Sequence, residues 1–282
     1  MDPPERLEDA RSSLTYARLM RIALGVEYDG AQFCGWQTQP SGCGVQDHLE
    51  NALEHIAGER VDTICAGRTD AGVHAVEQVV HFDTSVERAA SAWVRGTNAS
   101  APVGLAVLWA QAVDAEFHAR YSAARRSYRY VLLNRAVRPA LEQRRVGWFH
   151  LPLDVERMRA GARYLTGEHD FSAFRSSECQ ARSPVRDLQR IDVERHGDYV
   201  FFDFTANAFL HHMIRNLVGT LVYVGKGRHD PAWVGEVLSG RDRSRAAPTF
   251  DAAGLYLTRV EYEPLWGLPG RAIPGPAEFM LA

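Results

Sequence analysis

A chain of 282 residues is long enough for one large core or two ordinary domains. Its 46% hydrophobic and 24% charged residues are the proportions of a water-soluble globular protein. No apolar run approaches the ~18 residues that a membrane span requires. The net charge of −3 and pI of about 6.4 run against the basic footprint usual for a nucleic-acid-binding domain.

Residues 1–18 are charged and lack the basic-then-apolar order of a secretory signal, so they read as a mobile extension. Residues 21–28 alternate and end at Asp29-Gly30, a strand and a turn. Residues 45–58 place Val45, Leu49, Ala52, Leu53 and Ile56 at helical spacing and close on Gly58. Strands follow over 61–65 and 76–82, a helix over 88–98 and a strand over 105–113. From residue 127 the same order returns: a strand over 127–134, a helix over 153–165, and a hairpin of 188–195 with 199–207 around His196-Gly197-Asp198. An amphipathic helix over 210–224, a short helix from Asp230-Pro231 and a strand over 255–262 complete it. Each half thus reads strand-helix-strand-strand-helix-strand, the split βαβ order of ferredoxin-like and RRM-like units. The expected fold is α+β, with an N-terminal domain over 19–117 and a C-terminal domain over 118–282.

Charge and thiols are unevenly placed. Between Arg120 and Arg145 lie eight arginines and one acid, Glu142, in a chain whose only lysine is Lys226. Arginine binds phosphate bidentately and stacks on bases, so this run is a candidate polyanion surface; it also fits an ordinary solvated face. Cys34, Cys43, Cys65 and Cys179 form no Cys-x-x-Cys pair and no zinc spacing with histidine, so reduced thiols are expected.

Between the strands at 61–65 and 76–82 runs Ala66-Gly67-Arg68-Thr69-Asp70-Ala71-Gly72-Val73-His74-Ala75. Its two glycines permit positive φ or close approach to a ligand, and one carboxylate sits two residues from a cation. The same residues suit a tight loop in which Thr69 and Asp70 bond their own backbone. The decapeptide resembles the signature of the tRNA pseudouridine synthase A family (TruA), and the resemblance extends from Gly25-Val26-Glu27-Tyr28-Asp29-Gly30 to the Pro-rich stretch near Gly275. Arg125-Arg126-Ser127-Tyr128-Arg129-Tyr130 resembles the family's second motif, and His211-His212-Met213-Ile214-Arg215-Asn216 its third. The long N-terminal extension, Ser127 and the acidic balance depart from the family pattern.

The resemblance implies two α+β halves that form a mixed, largely antiparallel sheet with a central cleft. It implies an isomerase converting uridine to pseudouridine in the anticodon stem-loop of tRNA, around positions 38–40. Asp70 would be the catalytic residue. Arg215 would pair with it, favouring the ionised form. Tyr128 would stack on the target uracil, Leu255 would line the uracil pocket and Arg68 would handle the extruded nucleotide. Arg120, Arg125, Arg126 and Arg129 are the candidate phosphate contacts. A cytoplasmic homodimer is expected, with no membrane, metal or cofactor. The reaction neither oxidises nor adds a group, and Gly225-Lys226-Gly227 is no Walker motif. The His211-His212 pair is a weak metal signal, with no carboxylate or cysteine near it in sequence. One carboxylate suits an isomerase better than a hydrolase, which usually shows two. Whether Asp70 attacks C1′ or removes the C2′ proton stays open. Two other readings are a non-catalytic RRM-like RNA-binding protein and a nucleotide hydrolase using the Gly67–Gly72 loop as an anion nest.

Overall fold

The computed structural model describes residues 19–270 together with 272, 275 and 279; the expected extension over 1–18 lies outside the described residues. The N-terminal half contributes β1 (Met20–Tyr28), α1 (Val45–Ala57), β2 (Ile64–Cys65), β3 (His74–Thr84), α2 (Ala90–Ser100) and β4 (Leu105–Val113). The C-terminal half contributes β5 (Ala123–Asn134), β6 (Gly147–Phe149), α3 (Val155–Ala162), β7 (Gly167–Asp170), β8 (Val185–His196), β9 (Tyr199–Ala206), α4 (Met213–Gly225), α5 (Trp233–Gly240) and β10 (Leu255–Tyr262).

The ten strands of the described residues join one sheet, ordered β4-β1-β3-β10-β5-β9-β8-β7, with β2 beside β3 and β6 beside β5. The N-terminal half is therefore β4-β1-β3-β2, and the C-terminal half begins β10-β5-β9-β8. Both have the strand order of a ferredoxin-like unit, which gives the duplication inferred from element order a topological basis. Every pairing is antiparallel except β3–β10 and β5–β6.

The junction between the halves positions the site. The free edge of β3 is divided between two partners. β2 takes its far end, with Ile64 opposite His81 and Cys65 opposite Val80. β10 takes its beginning, with Tyr256 opposite His74 and Leu257 opposite Ala75. Residues 66–73 leave the sheet where the first partner stops and the second begins. α1 packs on α2, and α3 on α4 and α5. Even-numbered residues of β5 (Tyr128, Tyr130, Leu132) and of β9 (Val200, Phe202, Phe204) share the main core with these helices. Val131, Leu133, Val146 and Phe201 form a smaller cluster behind the sheet.

Several local expectations shift for identifiable reasons. The strand expected over 61–65 shrinks to two residues because the Glu50 carboxylate, not a neighbouring strand, accepts the Thr63 N–H at 2.7 Å and its hydroxyl at 2.9 Å. The long helix begins at Met213 rather than 210 because His212 turns left-handed, with φ 62° and ψ 3°. Cys34 and Cys43, expected as free thiols, are joined by a disulfide. Their Cα atoms are 5.4 Å apart, and Cys34 N–H donates to Cys43 O at 2.9 Å, so the loop ends already meet at bridging distance. Among the described residues no helix is long and apolar enough to cross a membrane.

Candidate active site

The 66–73 loop is fixed from both halves of the molecule. At its base, Ala66 N–H donates to Val79 O at 2.8 Å, and Gln78 Nε2 donates to Gly67 O at 2.6 Å. Tyr28 and Thr69 bond through their hydroxyls at 2.8 Å, and Thr69 O accepts from Trp36 N–H at 3.0 Å. Gly72 takes a positive φ of 81°; Gly67 does not, and only the Tyr128 hydroxyl lies near its missing Cβ, at 3.9 Å. Gly35, in the loop closed by the disulfide, has φ 90°. A Cβ there would meet Thr69 O and Ala71 N at 3.0 Å. The disulfide loop thus lies directly on the backbone that carries Asp70.

Asp70 projects into a ring of cationic and imidazole groups from the start of α4. Arg215 Nη1 donates to Oδ2 at 2.9 Å, and Arg215 Nε is anchored on Phe250 O at 2.8 Å. His211 Nε2 lies 3.3 Å from Oδ1, and His212 Nε2 lies 3.4 Å from Oδ2. Burial pushes the His212 imidazole below its ordinary range, against the pull of Asp70. The carboxylate keeps about a fifth of its surface open (21%), enough for a reactant to reach it. Asp70, His211 and His212 offer three ligand atoms within 4.8 Å of one another, a donor set suited to a divalent transition metal. The Arg215 guanidinium already supplies a positive charge at this carboxylate.

Tyr128 and Leu255 line the sheet beside this group. Tyr128 packs edge-on against Phe209 at 5.1 Å between ring centroids, and burial pushes its phenol above the ordinary range. Leu255 is buried opposite Tyr130 in the β5–β10 ladder. Arg68 is exposed and makes no hydrogen bond or ion pair among the described residues.

The four candidate phosphate contacts divide into two kinds. Arg120 is exposed, over the Tyr121 ring at 5.7 Å, and Arg125 is exposed with Glu261 at 3.7 Å. Arg126 and Arg129, expected to contact phosphates like the other two, are instead buried and bonded within the protein. Arg126 donates to four carbonyls: Ala123 O at 3.0 Å, Asn207 O at 2.8 Å, Ala66 O at 3.0 Å and Arg120 O at 2.6 Å. Arg129 forms a two-pronged pair with Asp203 at 2.8 and 2.9 Å. Arg126 thus spends four of its five N–H donors on main-chain carbonyls, and Arg129 turns its Nε and Nη2 toward a carboxylate of its own chain.

His211 and His212, which the sequence offered only as a weak metal signal, lie against Asp70. Their missing carboxylate partner is Asp70, close in space and far along the chain. The available signal was two adjacent imidazoles at the head of the helix that carries Arg215. Beside His212 opens a polar cavity of about 690 Å³, lined also by Arg175, Asn216, Arg241 and Arg243.

Comparison with known proteins bears on the same residues. A family model described as tRNA pseudouridine synthase matches residues 25–122 and 162–263, which include Asp70 and Arg215. The tRNA pseudouridine synthase A of Thiobacillus denitrificans is 60% identical over 251 residues, covering 89% of this chain and 96% of that one. Its counterpart from Aromatoleum aromaticum is 61% identical over 251 residues, covering 89% and 95%. That from Methylobacillus flagellatus is 55% identical over 251 residues, covering 89% and 96%. With the family model matching well over half the chain and relatives of this identity spanning nearly their whole length, the chain belongs to the tRNA pseudouridine synthase A family.

Proposed function

We propose that this protein isomerises uridine to pseudouridine in the anticodon stem-loop of tRNA, around positions 38–40, with Asp70 as the catalytic carboxylate. The observation that carries this reading is a single partly open carboxylate, held by Arg215 at 2.9 Å, at the junction of two ferredoxin-like halves. In the reaction the N1–C1′ bond breaks, C5 bonds to C1′, a proton leaves C5 and N1 takes one up. Composition is unchanged, so no cofactor is required. An anion beside C1′ stabilises the oxocarbenium-like charge that develops on cleavage. Both routes, attack at C1′ and removal of the C2′ proton, need the same ionised carboxylate.

In this reading Tyr128 stacks on the uracil, Leu255 lines its pocket, and the unpaired Arg68 fills the space left by the extruded nucleotide. Arg120 and Arg125 contact phosphates. The division near residues 117 and 118 separates a half carrying Asp70 from a half carrying Tyr128 and Arg215. A homodimer that shares one tRNA and works in the cytoplasm completes the proposal. The test is release of tritium from C5-labelled uridine in tRNA, because C5 loses its hydrogen only when it joins the sugar. Release by the wild type and none by Asp70→Asn, with equal tRNA binding, is the expected result. Equal release by both proteins removes Asp70 from the mechanism. Binding without release by either supports a non-catalytic RNA-binding protein.

A further inference from the structure

Both oxygens of Asp70 have neighbours from the head of α4: Arg215 gives a hydrogen bond, and the two imidazoles pack close without one. Oδ1 faces His211 Nε2 at 3.3 Å, while Oδ2 faces both His212 Nε2 at 3.4 Å and Arg215 Nη1 at 2.9 Å. The two imidazole rings lie against each other, with centroids 4.0 Å apart. The histidines are neighbours in sequence, and neighbouring side chains on a regular helix diverge by about 100°. A helix continued back through both positions would not aim both rings at one carboxylate.

The backbone resolves this at a cost. His212 adopts φ 62° and ψ 3° immediately before α4, one of only two non-glycine residues with positive φ among those described. A non-glycine side chain in this conformation is strained, and glycine would avoid the strain. The His212 side chain makes no capping hydrogen bond to α4, so helix termination does not account for an imidazole here. What the left-handed turn achieves is a second nitrogen on Asp70. Strain kept where a smaller residue would relieve it points to a use for the side chain.

We propose that His211 and His212 are positioning residues for pseudouridine formation: together with Arg215 they hold both oxygens of Asp70 and fix the plane of the carboxylate that works on the ribose. This rests on the reading of Asp70 as the catalytic residue. Without the two rings packed against it, the carboxylate would keep one anchor, the Arg215 hydrogen bond at Oδ2, and would swing about it. A displacement of about 1 Å at a reacting group costs on the order of 100-fold in rate.

The experiment measures tritium release, melting temperature and tRNA affinity for wild type, His211→Ala, His212→Ala, His211→Gln, His212→Gln and His212→Gly. Each alanine variant is expected to lose about 10- to 100-fold in kcat with KM for tRNA unchanged. Glutamine, whose amide N–H reaches close to the place of Nε2, is expected to restore part of the loss. His212→Gly separates the two roles of the residue: it relieves the left-handed strain, so it should melt no lower than wild type, yet turn over as slowly as His212→Ala. Alanine variants with wild-type kcat, or a kcat loss that only follows a loss of melting temperature, overturn the proposal. So does a wild type silenced by EDTA and restored by zinc, which would make the histidines metal ligands. A wild type that releases no tritium removes the functional reading, and the positioning role with it; an active wild type matched by its histidine variants removes the positioning role alone.

Discussion

Replacing Arg126 by methionine should unfold the protein more readily without changing how salt acts on tRNA binding. The guanidinium is buried without a carboxylate partner among the described residues, and four carbonyls from four separate positions accept its N–H groups. Methionine keeps much of the aliphatic volume and removes every donor. One of these bonds is buried and three are partly buried, so each carbonyl left without this partner costs about 1 kcal/mol, the low end of the range. Relief of the desolvation of one buried cation offsets part of that, so a net loss of about 3 kcal/mol is expected. For a chain of this size that corresponds to a fall of about 6–12 °C in melting temperature. Arg125→Ala is the contrast. Its side chain is half exposed, so melting should stay within a degree or two, while the slope of log affinity against log salt should fall by about 0.7–0.9. Thermal melts and tRNA filter binding from 50 to 200 mM salt measure both quantities. An Arg126→Met protein that melts like wild type but binds tRNA with a flatter salt dependence would refute the reasoning, and would mean that this guanidinium reaches a phosphate after all.

Other outcomes follow from the same structure. Gly35→Ala forces a Cβ onto Thr69 O and Ala71 N at φ 90°, so kcat should drop about 10-fold through a displaced Asp70 loop, read by tritium release beside an unchanged tRNA Kd. Tyr128→Phe should keep most of the stacking on the base, whereas Tyr128→Leu should lose about 1–3 kcal/mol of it, measured as kcat/KM. Burial pushes the His81 imidazole down to about 4, below the ordinary 6.5. Between those values the unfolded chain binds a proton that the native state refuses, so stability is full above pH 6.5 and falls as pH drops toward 4. The slope approaches at most about 1.4 kcal/mol per pH unit. His81→Asn should flatten the melting temperature against pH over that window; an unchanged profile would assign the acid loss to other groups, His74 first.

Periodicity and motif spacing made the repeated element order and the Asp70 loop legible, because alternation and glycine punctuation are local properties. What escaped the sequence was whatever depends on a partner far along the chain. β7, Gly-Glu-His-Asp, has no apolar residue to mark it and exists through backbone pairing with β8 alone. Arg125 and Arg126 are indistinguishable as letters. Their fates separate because a strand sends neighbours to opposite faces, and the face of Arg126 meets the carbonyls of the loop base. The histidine pair shows the same limit more sharply. Read as helix, adjacent imidazoles diverge and suggest only a cap or an incomplete metal site. The left-handed turn at His212 removes the helical premise, and the fold then brings up the carboxylate that the sequence could not supply. Arg126 and His212 act on the same loop from its two ends. One ties the main chain at Ala66 to the C-terminal half, and the other sets an imidazole from the head of α4 3.4 Å from the Asp70 side chain. Motion of one half against the other would move Asp70 relative to Tyr128 and Leu255, which belong to the other half, and the Arg126 and Arg215 hydrogen bonds across the seam oppose that motion.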